Sequence, residues 1–204
     1  MYWVKIPTWF QSVFHGMTWT KKDENKVYLT FDDGPIPEAT PEILDILKTY
    51  DVKATFFCVG ENVQKNHTIY QRILEEGHSV GNHTQNHLNG WKVDSGHYIS
   101  NIKEANDFIS SNLFRPPYGR INLKSYTRLK KDYQIIMWDV LSGDFDPNLS
   151  EKQCLDNIFK NTQQGSIIVM HDSIKTIDKV RNILPAVIEE LKSRNFELAA
   201  LPYN

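Results

Sequence analysis

The chain has 204 residues, a formal net charge of −2, and 40% hydrophobic and 24% charged residues, which fits a soluble globular fold whose core needs no staples. The near-neutral balance offers no basic excess for nucleic acid and no polybasic run for a membrane surface. The two cysteines, Cys58 and Cys154, lack metal-site or redox spacing, so they read as small buried residues and fix neither a disulfide nor a compartment.

Residues 1–25 carry Tyr2, Trp3, Trp9, Phe10, Phe14 and Trp19, interrupted by Lys5, Pro7, Gln11 and His15. That pattern has neither the apolar centre of a signal peptide nor the length of a membrane span, so the segment is expected to pack on the outside of the domain. With no secretion signal visible the sequence as it stands reads as cytoplasmic, and location is left open. From residue 26 to 204 apolar, β-branched runs alternate with amphipathic ones. Strands are expected at 27–31, 54–59, 79–80, 134–138, 166–170 and 197–201. Thr40 and Pro41 mark a helix start, as N-cap and first helical residue. Further helices are expected at 63–76, 98–111, 122–131 and 150–162. In the last helix Val180, Ile183, Leu184, Val187, Ile188 and Leu191 share one face; Asp178 is its expected cap, Pro185 its kink and Asn195 its left-handed end. Strand–helix alternation implies a mostly parallel sheet with helices outside. An open doubly wound sheet and a barrel both satisfy it, and both place chemistry beyond the carboxyl ends of the strands.

Polar residues collect at those ends. The first strand ends in Asp32-Asp33-Gly34-Pro35, two carboxylates followed by a turn pair. As an isolated string it is also an ordinary polar turn. After the third strand come His83 and His87; four apart in a helical turn, their rings would share a face and could share a metal. Two imidazoles and one carboxylate leave room for water, the pattern of a catalytic zinc site. Arg115-Pro116-Pro117-Tyr118-Gly119 has a proline-stiffened backbone suited to holding a guanidinium and a main-chain N–H. Asp144 lies in a loop after residue 138, and His171 and Asp172 follow the strand 166–170. Each cluster has a bland reading, but their shared position argues for one site.

These residues resemble the polysaccharide deacetylase family, carbohydrate esterase family four, over residues 26–201. Thr30-Phe31-Asp32-Asp33-Gly34-Pro35 matches its first motif, and His83 to His87 the second. Arg115-Pro116-Pro117-Tyr118-Gly119 matches the third, Asp144-Phe145 the fourth, and Val169-Met170-His171 the fifth. The resemblance implies a distorted (β/α) barrel with fewer than eight strands. Phe145 stands where the family usually has tryptophan and Val169 where it usually has leucine; both keep an apolar group beside the acyl pocket.

The resemblance further implies one divalent metal held by Asp33, His83 and His87, zinc by default, with cobalt, manganese or nickel as substitutes. Asp32 is the implied general base and Arg115 its partner; the Tyr118 N–H stabilises the oxyanion. His171 is the implied general acid, kept charged by Asp144. Tyr118, Phe145 and Val169 are expected to meet the substrate, an N-acetylated, N-acetylglucosamine-containing glycan. No nucleic acid or membrane span is expected. Two other readings compete: the same site acting on an O-acetyl ester or small amide, and a silent carbohydrate-binding module. Retention of Asp32 and His171 weighs against the second.

Overall fold

The computed structural model describes residues 2–21 and 25–202. Its strands are β1 (Lys26–Asp32), β2 (Thr55–Cys58), β3 (Ser79–Asn82), β4 (Leu113–Phe114), β5 (Gln134–Ile135), β6 (Val140–Leu141), β7 (Ile167–His171) and β8 (Glu197–Leu198). Its helices are α1 (Thr8–Val13), α2 (Thr40–Thr49), α3 (Gly60–Lys65), α4 (His67–Glu75), α5 (Ser95–Ala105), α6 (Leu123–Leu129), α7 (Glu151–Asn161) and α8 (Ile177–Ser193). The strands run in the order β5-β4-β3-β2-β1-β7-β6, with β8 beside the start of β1, and the pairs are parallel.

Residues 134–142 curl this sheet into a distorted (β/α) barrel. The stretch begins against β4, where the Ile136 N–H donates to the Phe114 carbonyl. It ends against β7, with Asp139 and Ser142 N–H groups donating to Ile167 and Val169 carbonyls. One segment thus leaves one edge of the sheet and joins the other. This explains why the strand expected at 134–138 ends at Ile135, with a second short strand only at Val140–Leu141, and why the two-residue β4 and β6 escape periodicity.

Side-chain alternation sorts the strands into two layers. Val27, Leu29 and Phe31 of β1 join the large core under α2, α7 and α8. Tyr28 joins Phe57, Leu113, Ile136, Ile167 and Leu201 in the barrel interior. Continuing each alternation by two or four residues carries Thr30, Asp32, Arg115, Val169 and His171 to the interior face.

The helices depart from expectation at their ends. Thr40 is the first residue of α2 and Ala39 its N-cap, because the Thr40 hydroxyl is spent on Asp172 and the Ile36 N–H. The helix expected at 63–76 breaks into α3 and α4 at Asn66. Thr176, not Asp178, occupies the α8 N-cap position; Asp178 lies in the first turn, paired with Arg181. Helix α8 passes through Pro185 as one element, and Asn195 has φ 62°. Cys58 and Cys154 are free and buried.

The N-terminal segment contains α1 and is stitched across residues 134–142. Val4 accepts from the Leu141 N–H, the Ile6 N–H donates to Asp139, and Thr18 pairs with Ile136. Lys5 Nζ sits 2.6 Å from the buried Asp139 carboxylate, which also accepts from Ser166 and the Ile167 N–H. Ile6 and Trp19 are buried. No helix among the described residues is long and apolar enough to cross a membrane.

Candidate active site and metal centre

The register of β1 sets the centre. Asp32 is the Cα partner of Phe57 on β2 and of His171 on β7. Asp33 has φ 92°, so the alternation breaks at Asp33 itself, one residue before the Gly34-Pro35 turn. Its backbone is held by its N–H to the Phe57 carbonyl and by Asn62 Nδ2 donating to its own carbonyl.

The two histidines do not lie on a helix. Residues 83–88 form a loop with Thr84 at φ 67° and His87 at φ 55°. The loop is scaffolded by side-chain amides: Asn82 Oδ1 accepts from the Thr84 N–H, and Asn101 Oδ1 from the Gln85 and Asn86 N–H groups. The i, i+4 spacing therefore converges the rings through a strained loop, with centroids 5.1 Å apart, and not through a helical face. Tyr118, at φ 61°, joins Asp33, Thr84 and His87; four of the seven positive-φ non-glycine residues described belong to this site.

Asp33, His83 and His87 offer ligand atoms within 4.8 Å of one another. His87 Nε2 is 3.1 Å and His83 Nε2 3.8 Å from Asp33 Oδ1. The donor chemistry fits a divalent cation. His83 Nδ1 lies 2.7 Å from the Arg115 carbonyl, which only accepts, so Nδ1 carries the proton and Nε2 presents its lone pair. Burial lowers the His83 pKa to about 4, keeping the ring neutral. Burial works against an ionised Asp33, but the hydrogen bond from His87 and the charge of His171 hold its carboxyl well below the usual range. One anionic oxygen and two imidazole nitrogens are donors suited to zinc and its first-row neighbours.

Arg115 is fully buried beside Asp32. Its Nη1 donates to Asp32 Oδ1 at 2.6 Å and to Thr30 Oγ1 at 2.7 Å, and its Nη2 to the Met137 carbonyl at 3.0 Å. The guanidinium stacks 4.0 Å over Phe57. The same side chain thus pairs with a carboxylate and satisfies a carbonyl freed where residues 134–142 change neighbours. Gly81 makes room for this stack, since a Cβ there would lie 2.5 Å from the Phe57 ring.

On the opposite wall His171 Nδ1 donates to Asp144 Oδ1 at 2.9 Å, and the His171 N–H to Asp144 Oδ2 at 2.7 Å. Ser142 and the Phe145 N–H also donate to Oδ1. Burial lowers the imidazole pKa, but the charge and hydrogen bond of Asp144, with Asp33 and Asp32 behind, outweigh it and push it up to about 10. The Phe145 ring stands 5.4 Å from His171, and Tyr118 stands 4.7 Å from His87, with its N–H donating to no protein acceptor among the described residues. Val169 is buried two residues before His171 on β7.

Sequence reasoning left Thr30, Ser142 and Asp172 without roles. Asp172 accepts from the Gly34 N–H at 2.9 Å and from the Thr40 hydroxyl at 2.6 Å, and its N–H donates to the Asp32 carbonyl. It braces the turn that carries both aspartates. Adjacency to His171 was the one signal available.

The family model described as "Polysaccharide deacetylase" matches residues 20–135. A peptidoglycan-N-acetylglucosamine deacetylase of Bacillus cereus is 32% identical over 196 residues, covering 91% of this chain and 91% of that protein. A chitooligosaccharide deacetylase of Rhizobium leguminosarum bv. trifolii is 31% identical over 199 residues, covering 88% of this chain and 92% of that one. A crystal structure of a peptidoglycan N-acetylglucosamine deacetylase in complex with 4-naphthalen-1-yl-N-oxidanyl-benzamide superposes with a TM-score of 0.89 at 32% identity, over 97% of this chain and 95% of that one. With a family model that matches more than half of the chain and relatives of this identity and coverage, the chain belongs to the polysaccharide deacetylase family and is a hydrolase of amide bonds.

Proposed function

We propose that the protein removes N-acetyl groups from N-acetylglucosamine-containing poly- or oligosaccharides in a metal-dependent reaction that releases acetate. The observation that carries this reading is a cation-binding triad, Asp33, His83 and His87, set between two unlike walls: a carboxylate paired with a buried guanidinium, and an imidazole paired with a carboxylate.

A divalent ion bound there, zinc first, supplies Lewis-acid chemistry, polarising an acyl oxygen and making water a better nucleophile. Asp32, aimed by its hydrogen bond from Arg115, accepts the proton of the attacking water. The Tyr118 N–H, fixed by Pro116 and Pro117, donates to the oxyanion that develops. An amine leaves poorly unless protonated. His171, with Nδ1 committed to Asp144, delivers a proton from Nε2 to the departing nitrogen. Phe145, with Val169 beneath, walls the acyl end, and Tyr118 borders the sugar.

An acetate-release panel tests this: chitin oligomers, peptidoglycan glycans, O-acetylated xylan and a small acetamide, each with zinc, with cobalt and after chelation. Acetate together with a free amine from N-acetylated glycans, lost on chelation and restored by metal, is the expected result. Release from the ester alone transfers the site to O-acetyl hydrolysis, and release from none of them with metal bound leaves the silent module.

A further inference from the structure

We propose that Tyr2 is a positioning residue for His171, acting through the Phe145 ring. The proposal rests on the deacetylase reading for its kinetic consequence but not for its structural one.

The N-terminal segment runs antiparallel to β6, Lys5 opposite Val140, with Val4 accepting from the Leu141 N–H. That direction carries Tyr2 past the carboxyl end of β6 and over the loop that follows. There its hydroxyl donates to Asp146 Oδ2 at 3.0 Å, and its ring meets Phe145 with centroids 5.1 Å apart at 57°. Phe145 in turn meets the His171 imidazole edge-on, at 5.4 Å and 74°. Its N–H donates to Asp144 Oδ1, the oxygen that also takes the His171 Nδ1 proton. Phe145 is therefore tied to the acid pair by both ring and backbone.

Phe145 is 40% exposed, so the barrel core does not fix its rotamer. The loop backbone is anchored by Lys179 Nζ on the Asp146 carbonyl and Asn157 Nδ2 on the Ser142 carbonyl, both of them bonds to the main chain. Tyr2 supplies the ring's second aromatic contact, besides His171. Partial burial and the neighbouring Asp146 carboxylate push the Tyr2 hydroxyl up to about 12, so it remains a donor. A partly exposed aromatic relay of two contacts holds an imidazole at a fixed angle, and proton delivery depends on that angle.

The variants are Tyr2→Ala and Tyr2→Phe in the full chain with metal added. Tyr2→Ala should lower kcat on an N-acetylated oligomer about tenfold, the order that one aromatic contact sustains. KM should change little, and hydrolysis of an aryl acetate, whose leaving group needs no proton, should be spared. Tyr2→Phe should recover most of the loss, because it keeps the ring. In parallel, the imidazole proton resonances of His171, assigned with His171→Gln, should move in Tyr2→Ala and stay in Tyr2→Phe. This reading needs no deacetylase activity, so it stands even if the wild-type protein releases no acetate. Unmoved His171 resonances in Tyr2→Ala, equal losses on amide and ester, or a rise in KM alone would each overturn the positioning role.

Discussion

The two walls of the cleft are built by opposite means. On the base side Asp32 lies on a strand, its partner Arg115 one residue past another, and the guanidinium is sealed between Phe57, Thr30 and the Met137 carbonyl. On the acid side Asp144 and Phe145 lie on a loop, Phe145 faces solvent, and the N-terminal segment leans over them. A base on the sheet inherits its geometry from strand register. The proposed acid, His171, also ends a strand, β7, but its carboxylate partner Asp144 lies on a loop, and a partner on a loop must be held by hydrogen bonds to its own backbone and by neighbours from elsewhere in the chain. Both buried pairs therefore couple catalysis to stability, and only the exposed outer contacts of the acid wall, at Phe145 and Tyr2, can be altered with the fold intact.

The largest effect that sharpens this contrast is expected of Asp32→Asn. Loss of the general base should cut amide hydrolysis by about 10²-fold or more. The Arg115 charge would then be buried without its counter-ion, which costs about 3–5 kcal/mol when one partner of a buried pair is removed. Urea unfolding should show that loss, and metal uptake should persist at the unchanged Asp33, His83 and His87. A variant with full turnover and full stability would mean that neither the base nor the coupling lies at Asp32.

The acid wall should respond selectively, by the leaving group of the substrate. His171→Ala should reduce amide hydrolysis about 10²-fold or more, the scale of a lost general acid, and aryl-ester hydrolysis far less. Asp144→Asn removes the carboxylate that raises the His171 pKa, so the alkaline limb of the pH–rate profile should move toward lower pH. Stability follows the same sign. With the folded pKa near 10 and the ordinary value at 6.5, the stabilisation from this group is complete below about pH 6.5 and fades as pH rises toward 10. Asp144→Asn should narrow that window. An alkaline limb that ignores the Asp144 change would separate His171 from the proton transfer.

The same contrast decides what could be read in advance. The parallel sheet, its helices and the clustering at strand ends follow from periodicity, because apolar alternation on β1 and β7 also dictates which way Asp32 and His171 point. The motif residues Asp32, Asp33, His83, His87, Arg115, Tyr118, Asp144 and His171 are brought to one mouth. The mechanism of convergence was less legible. The histidine pair is joined by Asn82 and Asn101 side chains across a positive-φ loop, and no local pattern encodes a partner 15 to 16 residues away. β4 and β6 are two-residue strands defined by their neighbours, too short for periodicity to register. Tyr2 lies 143 positions from Phe145, and only the folded arm brings them together.

The smallest effect is expected behind the base wall, at Asp172. Its carboxyl is buried, and a Cβ on Gly34 would collide with it, so the turn after Asp33 depends on glycine to bring its N–H this close. Burial pushes the Asp172 pKa from 3.8 up to about 8, against the opposing hydrogen bonds from Thr40 and Gly34. A carboxyl whose folded pKa is raised contributes stability that is complete below the unfolded value. That contribution is lost as pH climbs from about 4 to about 8, because the unfolded chain releases the proton first. Asp172→Asn has nearly the same shape as the protonated carboxyl. Its oxygen still accepts from the Gly34 N–H, and its amide donates to the Thr40 hydroxyl, which can turn to accept. Near pH 5 the variant should therefore match the wild type within about 1 kcal/mol, the scale of a hydrogen bond exchanged for another. Between pH 5 and 9 the wild type should lose stability that the variant keeps. Urea unfolding at pH 5, 7 and 9 reads this directly. A variant strongly destabilised already at pH 5 would show that Asp172 braces the turn as an anion, and the sign of its pH dependence would then reverse.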